Sequence, residues 1–218
     1  MRWTPQKKDV LAALVDDILH NYGKGRVIVA IDGVDAAGKT LFAADLAHAL
    51  ESKGHAVVQA SIDGFHRPRD KRHARGRDSA EGFYRDSYDY ATFRRVLIEP
   101  FRMGGSAAFV TAAFDHRSNN QVEPKWITAP ADAILLVDGI FLNRPELRGI
   151  WNYSIWLEVP AEVAMERLIE RDGDNGVSAR YSDGQKLYKK EAKPSSHATA
   201  LIDNSDYDHP RRIFADSC

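Results

Sequence analysis

The stretch VIVAIDGVDAAGKTLFAADLAHAL, residues 27–50, decides the fold. Its centre, GVDAAGKT from Gly33 to Thr40, fits the phosphate-binding pattern G-x-x-x-x-G-K-[ST] completely. An apolar run precedes the pattern and a helix-like run follows it, so the sequence predicts a strand, a loop of small residues and a helix. Such a loop directs backbone N–H groups at phosphates from a helix N-terminus. An ordinary turn with a surface lysine is the structural alternative.

The residue types of this loop predict contacts with a nucleoside triphosphate. Lys39 is expected to bridge the β- and γ-phosphates, and the hydroxyl of Thr40 to ligate Mg²⁺. The other residues predicted to contact the nucleotide are Gly33, Asp35, Ala36, Ala37, Gly38 and Leu41. The sequence lacks the N-K-x-D segment of guanine-selective GTPases, so ATP is the expected donor, with GTP left open.

Strand-like and helix-like segments alternate along the rest of the chain. Strands are predicted over 26–32, 55–63, 133–141, 153–159 and 198–205, and helices over 4–20, 39–53, 90–103, 161–171 and 185–192. This alternation predicts a three-layer α/β P-loop NTPase fold with a mostly parallel central sheet. Two apolar runs, 107–115 and 123–129, flank a polar segment and predict a small hairpin. We expect one P-loop domain over 1–218, with an N-terminal helix within 1–22, a substrate-side loop over 64–89 and a lid over 171–184.

Two further carboxylates follow predicted buried strands. Asp138 comes after four apolar residues in ILLVDGIF, and Asp63 ends the strand HAVVQASID. Ligands of open α/β sheets bind at the carboxyl ends of strands, so both should lie near the loop. Asp138 is a predicted Mg²⁺ ligand, and Asp63 is placed to orient or deprotonate an acceptor hydroxyl. Strand-ending turns built on Asp-Gly pairs are the structural alternative for both.

Composition narrows the class of protein. The 218 residues are 44% hydrophobic and carry a net charge of −1, which argues against a global attraction to nucleic acid or membranes. The single cysteine, Cys218, excludes a disulfide scaffold and favours a reducing compartment. The N-terminus has no signal-peptide pattern, and no run approaches about 18 apolar residues. We therefore expect a cytoplasmic protein, with no membrane partner and with a homo-oligomer left open.

The order of these motifs resembles the uridine kinase-like family. The resemblance covers about residues 25–205 and rests on the phosphate-binding loop, SIDGFHR (61–67), FDHRS (114–118), LLVDGIF (135–141) and RLIERD (167–172). Phosphoribulokinase, pantothenate kinase and nicotinamide riboside kinase are relatives within that family. The resemblance implies ATP- and Mg²⁺-dependent phosphorylation of a hydroxyl on a small metabolite, with a nucleoside as the first choice of acceptor. Pantothenate, nicotinamide riboside and sugars are the other acceptors, and a regulatory P-loop NTPase is the rival class.

The resemblance also implies roles for individual residues. Asp63 matches the family's hydroxyl-activating aspartate, and Arg171 is a candidate catalytic arginine beside the lid. Arg167 and Arg180 are further arginines expected at the nucleotide. Residues expected to contact the acceptor are His66, Arg67, Tyr88, Phe114, His116 and Arg117.

Three positions depart from the family pattern. Asp138 stands where uridine kinases usually have glutamate, Phe114 replaces a tyrosine, and Phe83 aligns with the aspartate that binds ribose. Two of these changes fall on residues that recognise the substrate, so phosphoryl transfer is better supported than uridine as acceptor.

A basic segment follows Asp63. It contains Arg67, Arg69, Lys71, Arg72, Arg75 and Arg77. A solvated loop, a loop that meets an anionic or phosphorylated acceptor, and a nucleic-acid contact all fit this composition. The near-neutral chain makes nucleic acid the least favoured of the three.

Overall fold

The structure, a computed structural model, describes residues 6–173 and 178–214. Its strands are β1 (Val27–Gly33), β2 (Val57–Ser61), β3 (Phe114–Asp115), β4 (Asn120–Gln121), β5 (Ile134–Gly139), β6 (Tyr153–Glu158), β7 (Ala200–Asp203) and β8 (Arg211–Ile213). Six of them form a sheet in the order β2-β5-β1-β6-β7-β8, parallel except for β8, which runs antiparallel to β7. The predicted α/β fold with a mostly parallel sheet is confirmed.

Helices cover both faces of this sheet. They are α1 (Lys7–Tyr22), α2 (Lys39–Ser52), α3 (Arg69–Arg72), α4 (Ala80–Asp86), α5 (Tyr90–Phe93), α6 (Glu99–Met103), α7 (Ala161–Asp172), α8 (Ala179–Ala192) and α9 (Pro194–His197). A π-helical stretch, Arg94–Ile98, joins α5 to α6, so one continuous helical segment spans the predicted range 90–103.

Alternate side chains of β1 enter two different cores. Ile28 and Ala30 pack with the aromatic cluster around Phe65, Phe93 and Trp156. Val27, Val29 and Ile31 pack on the other face, against the apolar sides of α1 and α2. A strand buried on both faces is the expected centre of a three-layer α/β fold. This position places the loop after β1 at the middle of the carboxyl edge of the sheet.

Some elements differ from the sequence-based expectation. The segment predicted as a loop over 64–89 contains α3 and α4, whose short lengths give no helical period in a polar sequence. Helix α8 begins at Ala179, six residues before its predicted start. Strand β8 was not predicted. The hairpin is present, but its strands β3 and β4 have two residues each.

Parts of three predictions lie outside the described residues: positions 4 and 5 of the first helix, positions 174–177 of the lid, and Cys218. Within the described ranges, no helix combines the length and the apolar character needed to cross a membrane.

Candidate active site

The loop between β1 and α2 has the backbone geometry of a phosphate cradle. Gly38 has a φ of +85°, a backbone conformation that favours glycine. A Cβ at this position would also lie only 2.9 Å from the side-chain nitrogen of Asn204, so a larger residue has no space. Ala36 also adopts a positive φ, of +57°. The loop is held from outside, because Asn204 donates to the Ala37 carbonyl at 2.7 Å.

The start of the loop is bonded on both sides. The Gly33 N–H donates to the carboxylate of Asp32 at 2.8 Å. Asp35 exchanges two hydrogen bonds with Gln185 of α8: its N–H donates to Oε1 at 2.9 Å, and its Oδ2 accepts from Nε2 at 3.1 Å. Helix α8 is therefore docked directly on the loop.

Lys39 lies among carboxylates at the end of the loop. Its ammonium donates to the Val34 carbonyl at 2.7 Å. Burial raises the pKa of Asp35 and of Asp138, and the positive charge of Lys39 opposes the rise in both. The same charge contributes to the low pKa of Asp63. The positive charge of Lys39 at the end of the loop suits the polyanionic tail of a nucleotide.

Thr40 and Asp138 form a pair of oxygen ligands. The Thr40 hydroxyl donates to Asp138 Oδ2 at 2.7 Å, across the junction of α2 and β5. Mg²⁺ prefers hard oxygen ligands and takes few from the protein when phosphates supply the others. Asp138 is only 8% exposed, so its carboxylate is fixed in place at the sheet edge. The donor set fits the predicted metal.

A cavity of about 470 Å³ lies over the loop. Its walls include Ala36, Gly38, Lys39, Thr40, Leu41, Arg167, Arg171 and Tyr207. The guanidinium of Arg167 lies 3.6 Å from the centre of the Tyr207 ring and donates to the carbonyls of Asn204 and Ser205. This cavity, the nucleotide cavity, brings together loop residues and two of the three arginines predicted at the nucleotide.

Asp63 lies in a short 3₁₀ helix, Ile62–Phe65, directly after β2. The Tyr88 hydroxyl donates to its Oδ1 at 2.9 Å, and His66 Nε2 lies 3.5 Å from the same oxygen. Burial alone would raise the pKa of Asp63, but the hydrogen bond and charge of His66 and the hydrogen bond of Tyr88 lower it to about 2. Its side chain is nevertheless 57% exposed, because it faces an open cleft.

That cleft is a second cavity, of about 360 Å³, here called the acceptor cavity. Its walls include Asp35, Asp63, Phe83, Tyr88, His116, Arg171 and Tyr181. Arg171 also lines the nucleotide cavity, and its guanidinium pairs with Asp172 at 2.6 Å. Asp63 and the phosphate-binding loop therefore face two neighbouring cavities that share an arginine.

The remaining residues predicted to contact the acceptor lie at different depths. His66 stacks on Tyr88, with ring centres 4.5 Å apart, and lies 4.8 Å from His116. Arg67 points to Asp86, with 3.8 Å between charged atoms. Phe114 is buried in β3. Arg117 is exposed on the hairpin, and its charge assists the stronger effect of Arg171 in lowering the pKa of Asp172.

Arg180 lies away from the nucleotide cavity. Its side chain is 8% exposed and lines a third cavity with Phe83, His116 and Tyr181. Sequence reasoning also did not find Gln185, Tyr181 and Tyr207, which contact the loop or line the cavities. These residues belong to segments without a sequence motif, and only the tertiary fold places them near the loop and the cavities.

The chain is similar in sequence to proteins named as kinases. No protein-family model matches the chain. The uridine kinase of Aliivibrio salmonicida is 25% identical over 154 residues, 67% of each chain. The uridine kinase of Vibrio vulnificus is 25% identical over 174 residues, 77% of this chain and 78% of its own.

Two solved structures share the fold. A protein from Bacillus stearothermophilus, described as a possible uridine kinase, superposes with a TM-score of 0.72 at 22% identity, covering 89% of this chain and 97% of its own. A candidate fructose transport system kinase from Silicibacter sp. TM1040 has a TM-score of 0.65 at 25% identity, covering 86% of this chain and 94% of its own.

Proposed function

We propose that the chain transfers the γ-phosphoryl group of ATP to a hydroxyl of a small metabolite, and that Asp63 binds this hydroxyl. Both the sequence relatives and the solved structures with the same fold indicate a uridine kinase-like P-loop kinase. Kinase activity, a small-molecule substrate and the use of nucleotide and Mg²⁺ follow from that family. The acceptor and the roles of individual residues are the proposal.

One observation supports it above the others: Arg171 lines both the nucleotide cavity and the acceptor cavity. A transferring phosphoryl group must pass between a donor site and an acceptor site, and its equatorial oxygens carry negative charge during the transfer. A guanidinium at the junction is suited to stabilise that charge. Asp63 lines the acceptor cavity and Lys39 the nucleotide cavity, so each lies on its expected side.

Asp63 accepts a hydrogen bond from the acceptor hydroxyl and aims its oxygen at the γ-phosphorus. Because its pKa is about 2, the carboxylate is ionised at neutral pH but is a weak base. It therefore receives the hydroxyl proton late, as the new oxygen–phosphorus bond forms and the bond to the leaving ADP oxygen breaks. Lys39 holds the phosphate tail, and Thr40 and Asp138 hold Mg²⁺. The ion neutralises phosphate charge when bound.

A nucleoside is the first acceptor class to test, because the curated relatives above are named uridine kinases. The departures at Phe83 and Phe114 keep pantothenate, nicotinamide riboside and sugars in the panel. Phe83 lines the acceptor cavity with an apolar ring where the family has an aspartate, whereas Phe114 is buried in β3. We therefore expect the acceptor contacts to differ from those of a uridine kinase at Phe83.

ADP release with ATP and Mg²⁺, measured against these acceptors, tests the proposal. We expect acceptor-dependent turnover that falls at least about 10²-fold in Asp63→Asn, in line with the loss of a general base. Asp70→Asn is the matched control, because Asp70 is exposed in the same segment and its carboxylate pairs with Lys71 at 3.9 Å. Hydrolysis that is indifferent to every acceptor and to Asp63 would contradict the proposal and favour a regulatory NTPase.

A further inference from the structure

A third cavity, of about 400 Å³, is lined by an unusual concentration of positive charge. Arg69, Arg72, Arg77 and Arg180 contribute to its wall, together with His73 and His116. Asp78 is the single acidic residue among the wall residues identified. We call this the arginine cavity. Three of the six cations of the basic segment therefore line one concave surface, together with Arg180 at the start of α8.

These charges have no acidic counterpart in the described residues. Within 6–173 and 178–214, none of the four guanidinium groups lies within 4.0 Å of a carboxylate oxygen. Arg180, 8% exposed, is held instead by the backbone carbonyls of Arg72 and Arg77. The buried Nε of Arg72 has no hydrogen-bond partner in the same residues. Buried cations are normally paired, and an unpaired buried donor is costly.

The neighbouring groups respond to this positive field. Burial lowers the pKa of His73, and the charges of Arg180, Arg72, Arg77 and Arg69 lower it further. Burial likewise lowers the pKa of Arg72, with Arg69 and Arg180 acting in the same direction. A bound anion would oppose the contribution of the neighbouring positive charges to both pKa values, because it would supply negative charge.

The arginine cavity adjoins the acceptor cavity. Phe83, His116 and Tyr181 line both of them. The rings of Phe83 and Tyr181 meet edge to face at 4.8 Å and form the partition. On the other side, His116 lies 4.8 Å from His66, which itself reaches Asp63. A molecule whose hydroxyl lies at Asp63 can therefore extend past this partition toward the arginines.

We propose that the arginine cavity binds an oxyanion group, a phosphate ester or a carboxylate, carried by the acceptor. This inference rests on the proposed function, because it extends the acceptor site defined by Asp63. The substrate is then an anionic alcohol, and an uncharged nucleoside or sugar leaves the four arginines without a partner.

The position of the arginines favours this use over a solvated loop or a nucleic-acid contact. Arg180 is buried on α8, and α8 packs closely on α4, where a Cβ at Gly184 would lie 3.0 Å from the Ala80 carbonyl. Arg180 therefore forms a fixed part of the cavity wall, and Arg69 and Arg77 line the same cavity from exposed positions. A strand of nucleic acid requires an extended basic surface, whereas the whole chain has a net charge of −1.

The test uses pairs of acceptors that differ in one anionic group: a nucleoside and its 5′-monophosphate, a sugar and its phosphate, glycerol and glycerate. We expect the anionic member of at least one pair to have a kcat/KM at least about tenfold above its neutral partner. Arg69→Gln/Arg77→Gln should raise KM for that acceptor about 10- to 100-fold, the size expected for charge-assisted hydrogen bonds, with kcat changed less. Both arginines are exposed, so the variant should fold, which a thermal melt verifies.

Lys71→Gln is the matched control, because Lys71 lies between these arginines in sequence, is 70% exposed and is not among the wall residues. It should leave KM within about twofold. Neutral acceptors used as well as anionic ones, with no effect of the double variant, would overturn the inference and leave the proposed function standing.

A binding measurement separates the inference from kinase activity. Calorimetry with inorganic phosphate and with glycerate, at saturating Mg²⁺ and a non-hydrolysable ATP analogue, reports anion sites outside the phosphate-binding loop. Binding that the double variant loses and Lys71→Gln retains supports the site even if no tested acceptor is phosphorylated. Absence of binding by the unmodified protein overturns it, as does affinity for a polynucleotide alone.

Discussion

Tyr88 is completely enclosed, and its hydroxyl reaches out of the core to Asp63. Tyr88→Phe removes that hydrogen bond while the ring and its stacking on His66 remain. A hydrogen bond to a charged group contributes about 1.5–3 kcal/mol, so we expect kcat/KM to fall about 10- to 100-fold. Steady-state kinetics with the acceptor found by the panel measure the change.

The same substitution has a consequence for pH. The pKa of Asp63 is lowered to about 2, so its favourable contacts stabilise the fold above about pH 4 and are lost as the pH falls toward 2. Asp63 should therefore produce no acid limb in kcat/KM above about pH 4, and Tyr88→Phe should move its ionisation upward. Tyr90→Phe, which removes a hydroxyl bonded to Arg144, is the control. Equal losses in both variants would contradict a specific role of Tyr88.

Thr40 provides a second test at the scale of one hydroxyl. Thr40→Ala removes one of the two protein oxygens proposed for Mg²⁺, whereas Thr40→Ser keeps it. We expect the Mg²⁺ concentration for half-maximal activity to rise at least about tenfold in the alanine variant, the loss typical of a ligand or its supporting group. The serine variant should stay within about threefold. A Mg²⁺ titration at fixed ATP measures this concentration in each variant. Equal Mg²⁺ requirements in the alanine and serine variants would contradict a role of the Thr40 hydroxyl as a metal ligand.

Among the secondary-structure elements, helix α8 contacts several parts of the proposed site. Tyr188 donates to the buried Asp32 directly before the loop, Gln185 bonds Asp35 within it, and Arg180 enters the arginine cavity. These residues are spaced over eight positions, so one helix contacts the nucleotide loop and the acceptor site together. A shift of α8 would change both.

Tyr188→Phe tests this anchor. Asp32 also accepts from Asn143 and Gly33, but it loses its tyrosine donor in a fully buried site. We expect the free energy of unfolding to fall by about 1–3 kcal/mol. Burial raises the pKa of Asp32 and the Tyr188 hydrogen bond opposes the rise, so the variant's pKa is higher still. Since the ionised carboxylate needs the donor most, the deficit at pH 8 should be at least as large as the deficit at pH 5.

Urea unfolding at the two pH values measures that deficit. Tyr153→Phe is the control, because its buried ring bonds Asp17 at 3.3 Å and that carboxylate is 38% exposed to water. Water replaces the lost donor there, so the control should lose less than about 1 kcal/mol. A deficit in Tyr188→Phe that is larger at pH 5 than at pH 8 would show that Asp32 is not the group affected.

For the whole molecule, the sequence predicted what depends on local pattern. The phosphate-binding motif, flanked by an apolar strand and a helix, located β1 and α2 to within a residue. Runs of four or more apolar residues identified the two central strands, β1 and β5, and shorter apolar runs indicated β2, β6 and β7. Asp63 and Asp138 could be placed at one edge because parallel strands share the direction of their carboxyl ends. Whether these residues perform the proposed chemistry remains a prediction.

Features that depend on long-range packing were not predictable in the same way. The basic segment gave no sign that three of its arginines line one cavity together with Arg180, because Arg180 is more than a hundred positions from Arg69 in sequence. The short helices α3 and α4 are too brief for a periodic signal. The contacts of Gln185 and Tyr207 with the loop are products of the closed fold. Sequence spacing alone contains none of this.

Nucleotide binding should stabilise the whole chain, because the loop joins β1, α2, α8 and the segment after β7. A ligand that binds only the folded state at about 100 times its Kd adds about 2.7 kcal/mol. For a protein of this size, that corresponds to an increase in Tm of about 5–10 °C with ATP and Mg²⁺. Lys39→Ala should bind at least about tenfold more weakly and lose about 1.4 kcal/mol of this gain, or about 3–5 °C. Differential scanning fluorimetry measures both shifts. A shift that is equal in the variant would separate Lys39 from the nucleotide, and no shift in either protein would contradict the nucleotide site itself.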